Sequence, residues 1–148
     1  MHTTNTTRER QTEPEFLDFG SFLERREAAA REHAGADVES LRRMATHHPP
    51  ATFFGPGGET TRGPDRVREA YEQGALPFPV DGGTHFEVFQ SAASDGLAYW
   101  VGLQHSIVDM ADSDTPRRVV MRVTELYRRE KGEWKLIHRH ADELETAR

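Results

Sequence analysis

Between His85 and Ala141 the chain alternates apolar and polar residues through four strand-length stretches, His85–Ala92, Leu97–Val108, Val119–Arg129 and Glu133–Ala141. Only Ser94-Asp95-Gly96, the polar break Ala111–Pro116 and Lys131-Gly132 separate them. Connections that short join antiparallel neighbours, because a parallel crossover needs roughly a dozen residues or more. The pattern therefore predicts a four-stranded antiparallel meander. Its middle strands, at about eleven residues, are twice the usual length, and long strands twist and coil rather than lie flat. A curved sheet with a pocket on its concave side is the expected result.

Upstream the periodicity is helical. Phe16, Phe19, Leu23 and Ala30 recur near helical spacing with Glu and Arg between them, which predicts a first helix to about His33, stopped at Gly35. Asp37 is placed as N-cap of a short second helix, Val38–Ala45, that ends before His47-His48-Pro49-Pro50. Ala51–Phe54 and Glu59–Arg62 flank Gly55-Pro56-Gly57-Gly58 and read as a hairpin; the glycine run lacks the Lys-Ser/Thr ending of a phosphate loop. Pro64 at a first helical position, Val67, Ala70 and Tyr71 on one face, and Gly74 past the end predict a third helix. Leu76–Gly83 is a Pro/Gly loop. Helix, helix, strand, strand, helix and four strands give an α+β fold with helices on one side of a single sheet.

The length, 148 residues, sets one domain. Its first fifteen residues, MHTTNTTRERQTEPE, hold one apolar side chain and are expected to form a disordered tail, leaving 16–148 as the domain. A net charge of −6 and the absence of any Lys/Arg run beyond two residues argue against nucleic acid as a partner. The longest apolar run, Leu97–Leu103, is far short of the roughly 20 residues that span a bilayer, and no apolar signal region precedes the domain, so no membrane association and a cytoplasmic location are expected. Without Cys, thiol nucleophiles and thiolate metal sites are excluded. No Ser or Thr stands in a nucleophile-elbow context, which leaves proton transfer as the chemistry open to the chain.

The run Arg122–His140, RVTELYRREKGEWKLIHRH, with Ala98-Tyr99 in the strand before it, resembles the closing hairpin of the nuclear transport factor 2-like superfamily, in its SnoaL-like and ketosteroid-isomerase-like branch. The association domain of calcium/calmodulin-dependent kinase II shares the Thr, the basic pair, the Gly, the Trp and the His-x-His at the same spacing. The resemblance covers about Leu17 to Asp142. It implies a cone-shaped, cystatin-like α+β barrel, three helices on a strongly curved, mostly antiparallel six-stranded sheet, with an open pocket and usually a homodimer. Members isomerise, cyclise, hydrolyse, dehydrate or only bind and assemble, so the resemblance implies a pocket without a fixed chemistry.

Which side chains enter the pocket depends on the last turn. A three-residue loop Glu130-Lys131-Gly132 sets Glu125 opposite Ile137 and Val123 opposite Arg139, with Val123, Glu125, Tyr127, Ile137 and Arg139 on one face. A two-residue Lys131-Gly132 loop recombines these sets, since a one-residue slip turns every side chain over. The resemblance favours the first register, because pocket arginines of the kinase association domain stand where this chain has Val101, Glu125 and Ala141; the departure at all three argues against that kind of carboxylate binding. On the same alignment Tyr99, Val101, Leu103 and His105 point inward.

Glu125 is then the candidate general base, its pKa expected to rise by desolvation beside Tyr127 and Val123. His105 is the proton-transfer partner and Tyr99 the donor to a developing oxyanion. Tyr71, Val101, Leu103, Tyr127, Ile137 and Arg139 are expected to contact the ligand. The opposite face, with Trp100, Gln104, Trp134, Leu136, His138 and His140, is expected to form the dimer surface through Trp100, Trp134 and His138. His138 and His140 lack a third ligand, so no metal is expected, and no cofactor. The preferred reading is a pocket protein that binds a small organic molecule; the alternative is a cofactor-free isomerase, cyclase or dehydratase working through Glu125.

Overall fold

A computed structural model of the chain describes residues 3–33, 35–73, 83–109 and 114–144, with side chains from Pro14 onward. Helices α1 (Thr3–Arg31), α2 (Ala36–Met44) and α3 (Pro64–Gln73) accompany six strands: β1 (Thr52–Phe54), β2 (Thr60–Arg62), β3 (His85–Ser94), β4 (Leu97–Val108), β5 (Arg117–Glu130) and β6 (Glu133–Glu143). The strands form one sheet in the order β2-β1-β6-β5-β4-β3. Only β1 and β6 run parallel; the other pairs are antiparallel. This is the expected α+β architecture, three helices on a mixed, mostly antiparallel six-stranded sheet. Most of the predicted Leu76–Gly83 loop and part of the Ala111–Pro116 break lie outside the described residues. No described helix is long and apolar enough to cross a membrane.

Helix α1 differs from expectation at its start. It is continuous from Thr3 through Pro14, so the segment read as a disordered tail is helical from Thr3. The helix downstream provides a nucleus, and Thr, Arg, Glu and Gln can extend one that already exists. Glu15 is tied to the sheet, its Oε1 accepting a hydrogen bond from the Gly96 N–H at 2.8 Å. From there Phe19, Leu23, Arg26 and Ala30 form a single buried stripe. That spacing keeps one side of the helix on the sheet. Phe19 packs against Tyr127 and Trp134 with ring centroids 5.4 and 5.5 Å apart.

The closing hairpin takes a register between the two expected ones. Lys131 and Gly132 form a two-residue turn with φ 49° and 81°, which places Glu130 opposite Glu133 and Tyr127 opposite Leu136. Such left-handed pairs match the twist of the flanking strands. Ile137 then bulges out of β6, and beyond it Glu125 stands opposite Arg139 and Val123 opposite Ala141. The three-residue loop, with Glu125 opposite Ile137 and Val123 opposite Arg139, is therefore corrected. The extra residue restores parity, so Trp134, Leu136, Arg139 and Ala141 all point into the core.

Strand β4 turns the other way from expectation. Trp100 pairs with Glu125, and Ala98, Trp100, Gln104, Ser106 and Val108 are buried. Tyr99, Val101, Leu103 and His105 consequently lie on the outer face. Trp100 is fully buried against Phe86, centroids 4.8 Å apart, and Trp134 is 5% exposed. Neither indole can contribute to a dimer surface, and Gln104 and Leu136 also belong inside. His138 alone of the proposed trio faces outward, its Nδ1 2.7 Å from Thr52 Oγ1 and its ring 4.9 Å from that of Phe54.

Candidate functional site

A cavity of about 440 Å³ opens between the inner sheet face and the three helices. Val38, Leu41, Phe53, Ala70 and Met121 give it an apolar wall. Asp37, Gln104, Arg139 and Tyr71 are among the polar groups of its lining, with Glu59 and the hydroxyls of Thr61, Thr84 and Ser106. A mostly apolar concave space with a few convergent polar groups has the make-up of a small-molecule site.

Asp37, Gln104 and Arg139 belong to a closed ring of side chains from five elements, completed by Arg26 and Glu125. Arg26 of α1 donates through Nη1 to Asp37 Oδ1 at 2.7 Å and through Nη2 to Glu125 Oε2 at 3.2 Å. Arg139 of β6 donates through Nη1 to the same Glu125 oxygen and through Nη2 to Gln104 Oε1 at 3.1 Å. Gln104 of β4 closes the circuit, its Nε2 donating to Asp37 Oδ2 at 2.8 Å. Two carboxylates and two guanidiniums leave the ring electrically neutral, which is how charges persist in a core. Glu125 Oε1 accepts further hydrogen bonds from Trp100 Nε1 at 2.8 Å and from the Tyr127 hydroxyl.

Local sequence explains each position. Gly35, with φ 86°, precedes α2 and caps it without a side chain. Asp37 therefore sits one residue inside the helix rather than at its N-cap, and its carboxylate is left to reach Arg26 and Gln104. Arg26 occupies a core position of α1 and lies over the Phe86 ring, Cζ 4.9 Å from the centroid. Gln104 and Arg139 reach the same space because the pairing of β4 with β5 and the bulge in β6 align their inward sides.

The electrostatics follow from this packing. Burial alone would raise the Glu125 pKa, but Arg26 and Arg139, with hydrogen bonds from Tyr127 and Trp100, hold it at about 2. The expected upward shift is thus reversed, and a carboxylate so acidic is a poor proton acceptor near neutral pH. Asp37 is likewise held low, burial being outweighed by Arg26 and Arg139. The Tyr71 phenol moves the other way, raised chiefly by burial, and stays protonated.

Of the residues proposed from sequence, Tyr71 and Arg139 line the cavity. Glu125 and Tyr127 are buried behind its lining, bound to each other. Ile137 is the half-buried bulge residue of β6. Tyr99, Val101, Leu103 and His105 lie across the sheet from the cavity. His105 is engaged there with Glu87, Nε2 to Oε1 3.0 Å, and stacks on His85 at 4.4 Å. The Tyr99 hydroxyl donates to Gln90 Oε1 at 2.8 Å. No acid–base set of Glu125, Tyr99 and His105 is brought together. Among the described residues no cluster of three His, Asp or Glu is placed to hold a metal.

Sequence reasoning misses Arg26, Asp37 and Gln104 as site residues. A signal existed for Arg26, since it falls between Leu23 and Ala30 on the apolar stripe, where an arginine must find anions. Asp37 was absorbed by its N-cap reading, and Gln104 by the inverted parity of β4.

Comparison with known proteins places this architecture. The sequence family described as SnoaL-like domain matches residues 25–141. Among solved structures, a nuclear transport factor 2-like protein of unknown function from Pseudomonas putida KT2440 superposes with a TM-score of 0.63 at 21% identity, covering 89% of this chain and 88% of that one. A ketosteroid isomerase-like protein from Erwinia carotovora atroseptica gives 0.56 at 14% identity over 74% and 83% of the two chains. The association domain of C. elegans CaMKII gives 0.57 at 14% identity over 85% and 93%. At these identities the likeness is one of fold. No curated protein matches the sequence.

Proposed function

The chain belongs to the SnoaL-like domain family, and from that premise we propose that it is a pocket protein binding a small, largely apolar organic molecule. The observation that supports this most is the cavity of about 440 Å³ with its apolar wall and polar lining groups that include Asp37, Gln104, Arg139 and Tyr71. The polar ring is held by its own ion pairs and hydrogen bonds, so it is organised before a ligand arrives, which lowers the entropic cost of binding. Acid–base catalysis through Glu125 finds no support in its low pKa, its full set of donors or its distance in the fold from His105 and Tyr99.

Fragment screening by protein NMR tests the reading. Small aromatic and alicyclic fragments should shift resonances of Tyr71, Ala70 and Met121 together, and Ala70→Phe, which places a ring in the cavity, should abolish those shifts. A broad library that leaves all three unmoved would remove the proposal.

We also propose self-association through the outer sheet face, with Leu126, Val101, Leu103 and His138 in place of the buried indoles. Support comes from Leu126, 38% exposed in the middle of that face between Tyr99 and His138. An exposed apolar centre within a sheet covered by helices on one side only is suited to a second copy of the chain.

A further inference from the structure

We infer that the cavity selects molecules presenting a hydrogen-bond donor, a hydroxyl or a protonated amine, to Asp37 and discriminates against carboxylates. This deepens the pocket-binding reading and rests on it. Accessibility is unequal around the ring: the side chain of Asp37 is 24% exposed, against 0% for Arg26, 0% for Glu125 and 6% for Arg139. The member offered to a ligand is therefore an acceptor-only group. Each Asp37 oxygen takes one hydrogen bond from the ring, from Arg26 and from Gln104. A carboxylate has about four lone-pair sites, so two remain for a ligand.

The cationic side has little to offer an anion. Arg139 is the only arginine or lysine among the described residues of the lining; its side chain is only 6% exposed, its charge faces Glu125 and each terminal nitrogen already donates once, to Glu125 and to Gln104, while His33 of the same lining lies 3.6 Å from Glu39. A second carboxylate, Glu59, stands in the same lining. An entering carboxylate would meet the carboxylates of Asp37 and Glu59 beside a guanidinium that is largely covered and already paired, and would lose its hydration, which is costly in an apolar cavity. A donor would complete an interaction with a charged acceptor, the stronger class of hydrogen bond. Arg26 acts here as a positioning residue, because its Nη1 bonds Asp37 while its Nη2 is anchored on Glu125, and its charge favours the ionised form of Asp37.

Three probes on one skeleton test the inference on the full chain: 2-naphthylmethylamine, 2-naphthylmethanol and 2-naphthoate, titrated at pH 7 by NMR. The better of the two donor probes should bind at least about tenfold more tightly than 2-naphthoate, the scale of a hydrogen bond to a charged group. The ratio of amine to alcohol then tells which donor is preferred. In Asp37→Asn, which keeps the shape and removes the charge, the discrimination should shrink to within about threefold. If that variant fails to fold, the wild-type comparison decides alone. Naphthoate binding as tightly as the better donor, or discrimination retained in full by Asp37→Asn, overturns the inference while leaving the pocket reading intact. Absence of binding by all three probes, together with unmoved cavity resonances in the fragment screen, overturns both.

Discussion

Trp100 and Glu125 are direct partners across β4 and β5, and the indole N–H donates to the carboxylate at 2.8 Å. This contact makes the inner parity of both strands a single choice. Once Glu125 faces the core, Trp100 must as well, and Gln104, four residues on, arrives beside Arg139. An enclosed carboxylate with two guanidiniums and two neutral donors is a structural junction between α1, β4, β5 and β6.

Replacing that carboxylate should therefore damage the fold. Glu125→Gln removes the anion shared by Arg26 and Arg139 and turns an amide N–H toward guanidiniums that can only donate. Breaking one side of a buried charge network costs about 3 to 5 kcal/mol. Urea unfolding should show a loss of that size. A variant within about 1 kcal/mol of wild type would mean that the ring contributes little to stability.

Much of this fold is legible in the sequence because its signals are local. Gly35, Pro64 and Lys131-Gly132 punctuate the chain, and helical spacing marks α1 and α3. The site is less legible because it depends on parity. The resemblance sets Val101 inward, and that one-residue slip carries Tyr99, Leu103 and His105 with it while sending Trp100 and Gln104 outward. The bulge at Ile137 leaves no mark in an alternating pattern, since HRH and LIH read as plausible strand in either register. The three-residue-loop register sets Glu125 and Arg139 on one face, and they do share it, as direct partners and not through Ile137 and Val123.

Strand β4 carries a second packing constraint at Gly102. A Cβ there would lie 2.0 Å from the Glu87 backbone oxygen, with Val88 Cα at 3.1 Å. Backbone atoms of a paired strand cannot yield as a flexible side chain can. Gly102→Ala should cost about 3 kcal/mol, the upper end of overpacking penalties. Hydrogen exchange should localise the damage to β3, and unchanged protection of β3 amides would contradict this.

The amino-terminal segment divides at Pro14. Deleting residues 1–13, which hold almost no apolar side chains, should leave the thermal midpoint within a degree or two. Extending the deletion through Glu15 removes the acceptor for Gly96 N–H. That longer truncation should lower the midpoint by about 3 °C, as a loss near 1 kcal/mol does in a domain of this size. Equal midpoints for the two truncations would assign Glu15 no structural role.

The outer face makes a prediction about assembly. Sedimentation at micromolar concentration should give twice the 16.8 kDa chain mass. Leu126→Glu should return the chain to a monomer with unaltered circular dichroism, because a charge at the centre of an apolar contact must be desolvated to pair. A wild-type monomer would remove the proposed interface.

Acid should weaken the protein through the same junction that organises its cavity. Glu125 titrates at about 2 in the fold against an ordinary 4.5, since Arg26 and Arg139 outweigh its burial. The folded value lies below the unfolded one, so the stabilisation is complete above pH 4.5, falls away as pH drops toward 2, and is absent below that. A gap of this size corresponds to about 3 kcal/mol. Asp37 adds in the same direction, its pKa also lowered in the fold. Urea midpoints should consequently fall only slightly from pH 7 to 5, where burial of His138 lowers its pKa in the fold and opposes its protonation, and decline steeply from pH 4.5 to 3. In Glu125→Gln the decline should be shallower, because the group that takes up the proton is gone. Parallel declines in the two proteins would place the acid sensitivity on other carboxylates, such as Asp37, and detach it from Glu125.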